Sequence, residues 1–246
     1  MRVAPIAAAI GFALTAALGG CATGTDDSIW NLGAFSGELT IEVAGADLDI
    51  REAEPGDADD AITVTRHVTA GREVEAGPVL DDQRLDLTAD CGFSFFGDCT
   101  IRYEITVPPA TPVTVEGENG SVTAIALGAA TTVSTDNGAI TIEEAAGPLD
   151  LRTDNGAIAV TDVSSKSVEA VSSNGTVDLS FGTVPDLVRV TTENGAVTVA
   201  VPPADYQVTT TTDNGAIDND LAGTDTSPRR VDITTENGAI SLLTAD

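Results

Sequence analysis

Aromatic residues are scarce, at 4% of 246 residues, with one Trp, two Tyr and six Phe. That argues against a globule built on large aromatic anchors. Positive charge is scarcer still: 11 bases stand against 39 acids, the net charge is −28, and Lys166 is the single lysine. Without a basic surface to displace counterions from phosphates, nucleic-acid binding is excluded. Electrostatic adsorption to anionic lipid head groups is excluded with it. Cations and basic proteins remain compatible partners. The lone histidine, His67, and the three cysteines leave no zinc spacing and no Cys-His or Ser-His motif. Phosphate loops and nucleophile elbows are missing too. The acidic pairs Asp59-Asp60 and Asp81-Asp82 are sequence neighbours in loops and do not make an opposed acid and base. Catalysis is not expected.

What the chain has in quantity is Val, Ile, Leu, Ala, Thr and 24 Gly, a composition suited to thin β-layers joined by many turns. Its organising unit is Asn-Gly followed two residues later by Ile or Val. The unit occurs at Asn119-Gly120, Asn137-Gly138, Asn155-Gly156, Asn174-Gly175, Asn194-Gly195, Asn214-Gly215 and Asn237-Gly238. The intervals are 18, 18, 19, 20, 20 and 23 residues, a near-constant period that signals stacked repeats. Three residues after each Asn comes an apolar residue in all seven copies, from Val122 to Ile240. Five after it the residue is apolar in all but Asn219, and four before it in all but Thr210. These offsets place apolar residues on one side of two short strands, with Thr, Ser, Asp and Glu filling much of the other.

The expected fold is all-β. The favoured architecture is a β-solenoid with coils of about 18–20 residues and one Asn-Gly corner per coil, equivalent strands pairing in parallel and the Asn side chains stacking. The alternative is an antiparallel array of hairpins, since Asn-Gly is also the favoured type I′ turn. Both residues tolerate positive φ, which suits either. A more variable second turn, such as Ala145-Ala146-Gly147-Pro148, separates the copies, and Ala222 to Arg230 reads as a loop excursion that lengthens the last interval.

Residues 1–20 read as a signal peptide: Met1-Arg2, then the apolar run Val3 to Leu18, too short for a comfortable membrane span. Leu18-Gly19-Gly20-Cys21 resembles the bacterial lipoprotein lipobox. The resemblance implies cleavage before Cys21, acylation of its thiol and new amino group (palmitate among the chains), and an extracytoplasmic, lipid-anchored protein. Residues 21–35 read as a tether, with Trp30 either capping the first β-layer or lying on the surface. Residues 36–110 read as an N-terminal β region continuous with the repeats of 111–246. Within it, strands are expected near Glu38 to Val43, Ala61 to Val68, Arg84 to Thr88 and Thr100 to Val107, and Ala44-Gly45-Ala46 looks like a worn corner. Cys91 and Cys99 flank a loop carrying Phe93, Phe95 and Phe96. Outside the cytoplasm such a pair is most simply a disulfide. The phenylalanines either plug the end of the core or form an apolar knob.

The Thr-Asp-Asn-Gly-Ala-Ile repeats, the upstream alternating strands and the Cys91…Cys99 pair leading into Tyr103-Glu104-Ile105-Thr106-Val107-Pro108 resemble the "putative adhesin" β-repeat family of bacterial surface proteins, a domain of unknown function. The resemblance spans residues 36–246 and implies a β-solenoid or related β-repeat fold with no active site to carry over.

The residue before the corner Asn is acidic in six copies: Glu118, Asp136, Asp154, Glu193, Asp213 and Glu236, with Ser173 the exception. Stacked about 4.8 Å apart, these acids form either a solvated strip that discourages edge-to-edge pairing or a strip bridged by Ca²⁺. No other cofactor is expected. The functional reading is a structural, adhesive or protein-interaction role at the cell envelope, with a protein or glycan partner and no nucleic acid. The alternatives are an accessory or sensory lipoprotein of an envelope-stress system and, against the lack of a basic groove, a polysaccharide-active enzyme.

Overall fold

The computed structural model describes residues 25–54, 57, 60–69, 77–88 and 100–245. Among them there is no helix. The chain runs through β1 (Thr25–Ala34), β2 (Leu39–Ala44), β3 (Asp47–Glu52), β4 (Ala61–Thr69), β5 (Val79–Asp81), β6 (Arg84–Thr88) and β7 (Thr100–Val107). After that the strands come in pairs, one on each side of an Asn-Gly corner. Asn119 joins β8 (Val113–Gly117) to β9 (Val122–Ile125), and Asn137 joins β10 (Thr131–Thr135) to β11 (Ile140–Glu143). The next two coils are β12 (Leu149–Thr153) with β13 (Ile158–Val163), and β14 (Ser167–Ser172) with β15 (Val177–Phe181). Three more follow: β16 (Leu187–Asn194) with β17 (Val197–Val201), β18 (Gln207–Asn214) with β19 (Ile217–Asn219), and β20 (Arg230–Asn237) with β21 (Ile240–Thr244).

The two strands of each coil lie in different sheets. One sheet has the order β1-β4-β7-β3-β9-β11-β13-β15-β17-β21-β19, the other β18-β20-β16-β14-β12-β10-β8-β2-β6-β5. Because Asn-Gly carries the chain from one sheet to the other, the hairpin alternative does not occur, and the repeats stack as a parallel solenoid. Identical positions meet in register: Val115 pairs with Val133, Val133 with Leu151, and Val122 with Ile140. Their side chains meet between the sheets and are 0–1% exposed. No coil has an apolar face that it buries alone, so each depends on its neighbours.

The coil of β2 and β3 joins the same stack, β2 beside β8 and β3 beside β9. Leu48 pairs with Val122, which puts Gly45 in the Asn place and Ala46 in the Gly place. β6 and β7 still join this coil in parallel, beside β2 and β3, and beyond them pairing turns antiparallel. β4 runs between β1 and β7, and β5 folds back on β6 through Asp82, whose φ is 56°. Residues 25–34, expected within a tether, are therefore largely the edge strand β1. They lack alternation, and only β4 gives them their conformation.

The coils do not stack in chain order. β20 pairs with β16 on one side and β18 on the other, and β21 lies between β17 and β19. The last coil is inserted inside, and the coil of Asn214 is left at the end of the stack. The long Ala222 to Arg230 interval, expected as a surface excursion, is the connection that carries the chain back past one coil. The two exceptions to the apolar pattern, Thr210 and Asn219, both belong to the end coil, where core positions face water, and Ile217 there is 46% exposed.

Candidate functional site

The corner is the most regular feature and the natural place to look for a site. Six of the seven corner Asn donate the side-chain amide to the side-chain oxygen of the Asn in an adjacent coil at 3.0 Å, beginning with Asn137 to Asn119, Asn155 to Asn137, Asn174 to Asn155 and Asn194 to Asn174. The ladder continues with Asn237 to Asn194 and ends with Asn214 to Asn237, following the spatial order of the coils.

The glycines serve a different purpose from the one their reputation suggests. Of the seven corner glycines only Gly120 has a positive φ in the left-handed range, at 129°. The other six are required by proximity. A Cβ on Gly138, Gly156, Gly175, Gly195, Gly215 or Gly238 would overlap the carbonyl of the adjoining corner glycine. Two residues before the Asn stands Thr135, Thr153, Ser172, Thr192, Thr212 or Thr235. These hydroxyls point inward, because they share strand parity with the apolar residue four before the Asn. Thr153 donates to Gly138 O at 3.0 Å, Ser172 to Gly156 O at 3.0 Å and Thr235 to Gly195 O at 3.1 Å. The signal was present in the sequence as a Thr or Ser in six of seven copies, Gly117 being the exception.

The acidic strip runs beside this ladder. Glu118, Asp136, Asp154, Glu193, Asp213 and Glu236 are all exposed, and Ser173 interrupts the row. Among the described residues no group of three or more His, Cys, Asp or Glu side chains is placed to hold a metal ion. A shallow depression of about 400 Å³ on the ten-stranded sheet takes in Glu42, Asp86, Glu116, Glu118 and Asp136. Arg84 lies at its rim, paired with Glu42 and, at 3.5 Å, with Asp86.

A second polar cluster sits on the antiparallel strands. His67 Nδ1 is 2.8 Å from Asp27 on β1 and its Nε2 is 3.3 Å from Glu104 on β7. The hydrogen bond to Asp27, with help from Glu104, raises the His67 pKa above its ordinary 6.5, against a smaller opposing effect of burial. On the inner face of the same strand the Arg66 guanidinium lies 5.1 Å from the Trp30 ring centre. Trp30 is half-buried against the core, which decides for the capping role. Tyr103 beneath is fully buried, and loss of hydration pushes its pKa above 10. Cys21, Cys91 and Cys99, with the Phe93, Phe95 and Phe96 loop, lie outside the described residues.

The model of the family described as Toastrack DUF4097 matches residues 97–243. The chain belongs to that family. The match takes in β7 and every Asn-Gly coil of this Toastrack protein and leaves out β1 to β6. No curated protein matches the chain. Among solved structures it is similar to the "putative adhesin" of Bacteroides fragilis, with 12% identity over 91% of this chain and 100% of the other, at a TM-score of 0.44. The "putative adhesin" of Parabacteroides merdae gives 10% identity over 89% and 96%, at 0.45. The "putative cell adhesion protein" of Clostridium sporogenes gives 13% over 90% and 100%, at 0.39.

Proposed function

We propose that this Toastrack protein is a non-catalytic structural or adhesive interaction module at the bacterial cell envelope, lipid-anchored through Cys21. The observation that carries the reading is how the repeat spends its recurrent residues. Asn, Gly, the inward Thr and the apolar rows are all used in stacking. What remains to face outward, coil after coil, is a row of carboxylates and Thr side chains. A repeated surface with no enclosed reactive centre suits contact with a partner better than turnover of a substrate. A disulfide between Cys91 and Cys99 belongs to the same extracytoplasmic reading.

The test is cross-linking on intact cells, with capture of the tagged protein and identification of what is bound. A specific protein or glycan recovered unaltered supports the reading, and consumption of a glycan by the purified chain overturns it in favour of an enzyme. Anchoring is read separately, by labelling with an alkyne fatty acid. The wild type should incorporate label and Cys21→Ser should not.

A further inference from the structure

A stack of two sheets has four edges, and this protein treats one of them differently. β5 and β19 are edges of three residues each. β1 is longer, but its pairing with β4 breaks between Asn31 and Ala34, beside Gly33 at φ 86°. Short length and a broken register are the usual means of blunting an edge. β18 has neither. Its eight residues pair with β20 from Gln207 to Asn214 without a break. They contain no Pro, and the first charge is Asp213. Among the described residues β18 has no strand on its other side.

The orientation of its backbone can be followed from the ends. Gln207 N–H donates to Arg229 O, toward β20. Tyr206 faces the other way: its N–H donates to Ala222 O and its carbonyl accepts from Thr224 N. The loop thus makes a single parallel bridge, Tyr206 with Gly223, and then turns away at Thr224–Ser227. Backbone groups alternate along a strand, so Val208, Thr210 and Thr212 face the open side as Tyr206 does. Their side chains lie on the core rows and are only half-buried, because no coil covers them.

We propose that the open edge of β18 is a strand-addition site for an extended, lysine- or arginine-bearing segment of a partner protein. This deepens the interaction reading above and rests on it. The charge decides the occupant. Residues 205–225 carry Asp205, Asp213, Asp218, Asp220 and Asp225 and no Lys or Arg, and all five aspartates are exposed. A second copy would bring the same five charges to the interface, whereas a basic strand meets complementary ones. Main-chain hydrogen bonds to Val208, Thr210 and Thr212 supply the pairing, and β-branched side chains on the inner face of the added strand cover the half-exposed Val208 and Thr210.

The experiment uses the full-length chain and a capped peptide of about eight residues in which Val alternates with Lys and Thr, a length matched to one strand. Binding is measured by calorimetry and located by amide exchange. The expected result is binding that weakens with salt, with slowed exchange at Val208, Thr210 and Thr212. The same peptide with Glu for Lys should bind at least about tenfold more weakly. Thr210→Pro removes an outward N–H and no bond to β20, so it should abolish binding with little change in melting temperature. Thr209→Lys with Thr211→Lys lowers the net charge of residues 205–225 from −5 to −3 without touching the backbone, and should narrow the difference between the two peptides. Absence of binding at millimolar peptide, or undiminished binding to both variants, overturns the proposal. A dimer that Thr210→Pro dissolves, with no peptide bound, overturns it in favour of a second copy. If Thr210→Pro and the double Lys variant still capture the cell-surface partner, the edge site falls while the interaction reading stands.

Discussion

Asn214 donates its side-chain amide to Asn237 Oδ1 at 3.0 Å, although Asn237 comes 23 residues later in the chain and lies one coil nearer the middle of the stack. The bond fixes the direction of the whole ladder. Within the ladder each interior Asn gives one side-chain hydrogen bond to an Asn and receives one from an Asn. Asn119 only receives, and Asn214 only gives.

That polarity makes the corners unequal toward a carboxylate. Asn155→Asp loses the donor to Asn137 and sets two oxygens against each other, and should cost about 1–2 kcal/mol. Asn119→Asp keeps its acceptor role toward Asn137 and should cost under about 0.5 kcal/mol. Thermal melts of the two variants check the difference.

The glycines separate by what lies in front of them. Gly156→Ala drives a methyl into the Gly138 carbonyl and should cost about 3 kcal/mol or prevent folding. Gly182→Ala meets nothing closer than 3.8 Å and should change stability by less than about 1 kcal/mol. Circular dichroism melts suffice.

The inward hydroxyls make a matched pair. Thr153 Oγ1 bonds to Gly138 O, whereas the buried Thr135 Oγ1 has no hydrogen-bond partner among the described residues. Thr153→Val should therefore destabilise by about 1–2 kcal/mol, and Thr135→Val should be neutral or stabilising. Urea unfolding gives both values.

His67 ties β1 to β7 and sets a pH dependence. Its folded-state pKa is raised above 6.5, chiefly by the hydrogen bond to Asp27. The stabilisation it contributes is therefore complete below the unfolded value and lost as pH rises through the folded one. An NMR titration of the ring should give a midpoint above 6.5 that Asp27→Asn lowers. A midpoint at or below that of a free imidazole would show that the pair is not formed.

The acidic strip should respond to salt. Stacked carboxylates repel, and the repulsion is screened within about 10 Å at 0.1 M ionic strength. Raising sodium chloride should raise the melting temperature, and millimolar calcium should add nothing beyond its ionic strength. A saturable calcium shift would instead establish the bridged strip.

Much of this fold could be read in the chain. The Asn-Gly period and the apolar offsets led to the parallel stack because identical corners can only coincide one way. The stacking of the Asn side chains was legible as well, but other contacts between coils were not. Six of the seven corner glycines are set by the next carbonyl and not by φ, and the inward Thr by a bond across coils. The insertion of the last coil left only indirect marks: a 23-residue interval and two polar residues, Thr210 and Asn219, in core rows. The His67 cluster joins three strands far apart in sequence and left no motif at all.

The displaced end coil also bears on how the molecule is made. A solenoid laid down in chain order can zip from one end as each coil emerges. Here β18 and β19 are synthesised before the strands that separate them from β16 and β17. Their final seat exists only once residues 230–244 have arrived. Until then either the coil waits undocked or it occupies the place beside β16 and must be evicted. Residues 230–244 are thus a keystone, and a truncation at Arg229 would remove the coil second from the end of the stack and with it the seat of β18 and β19.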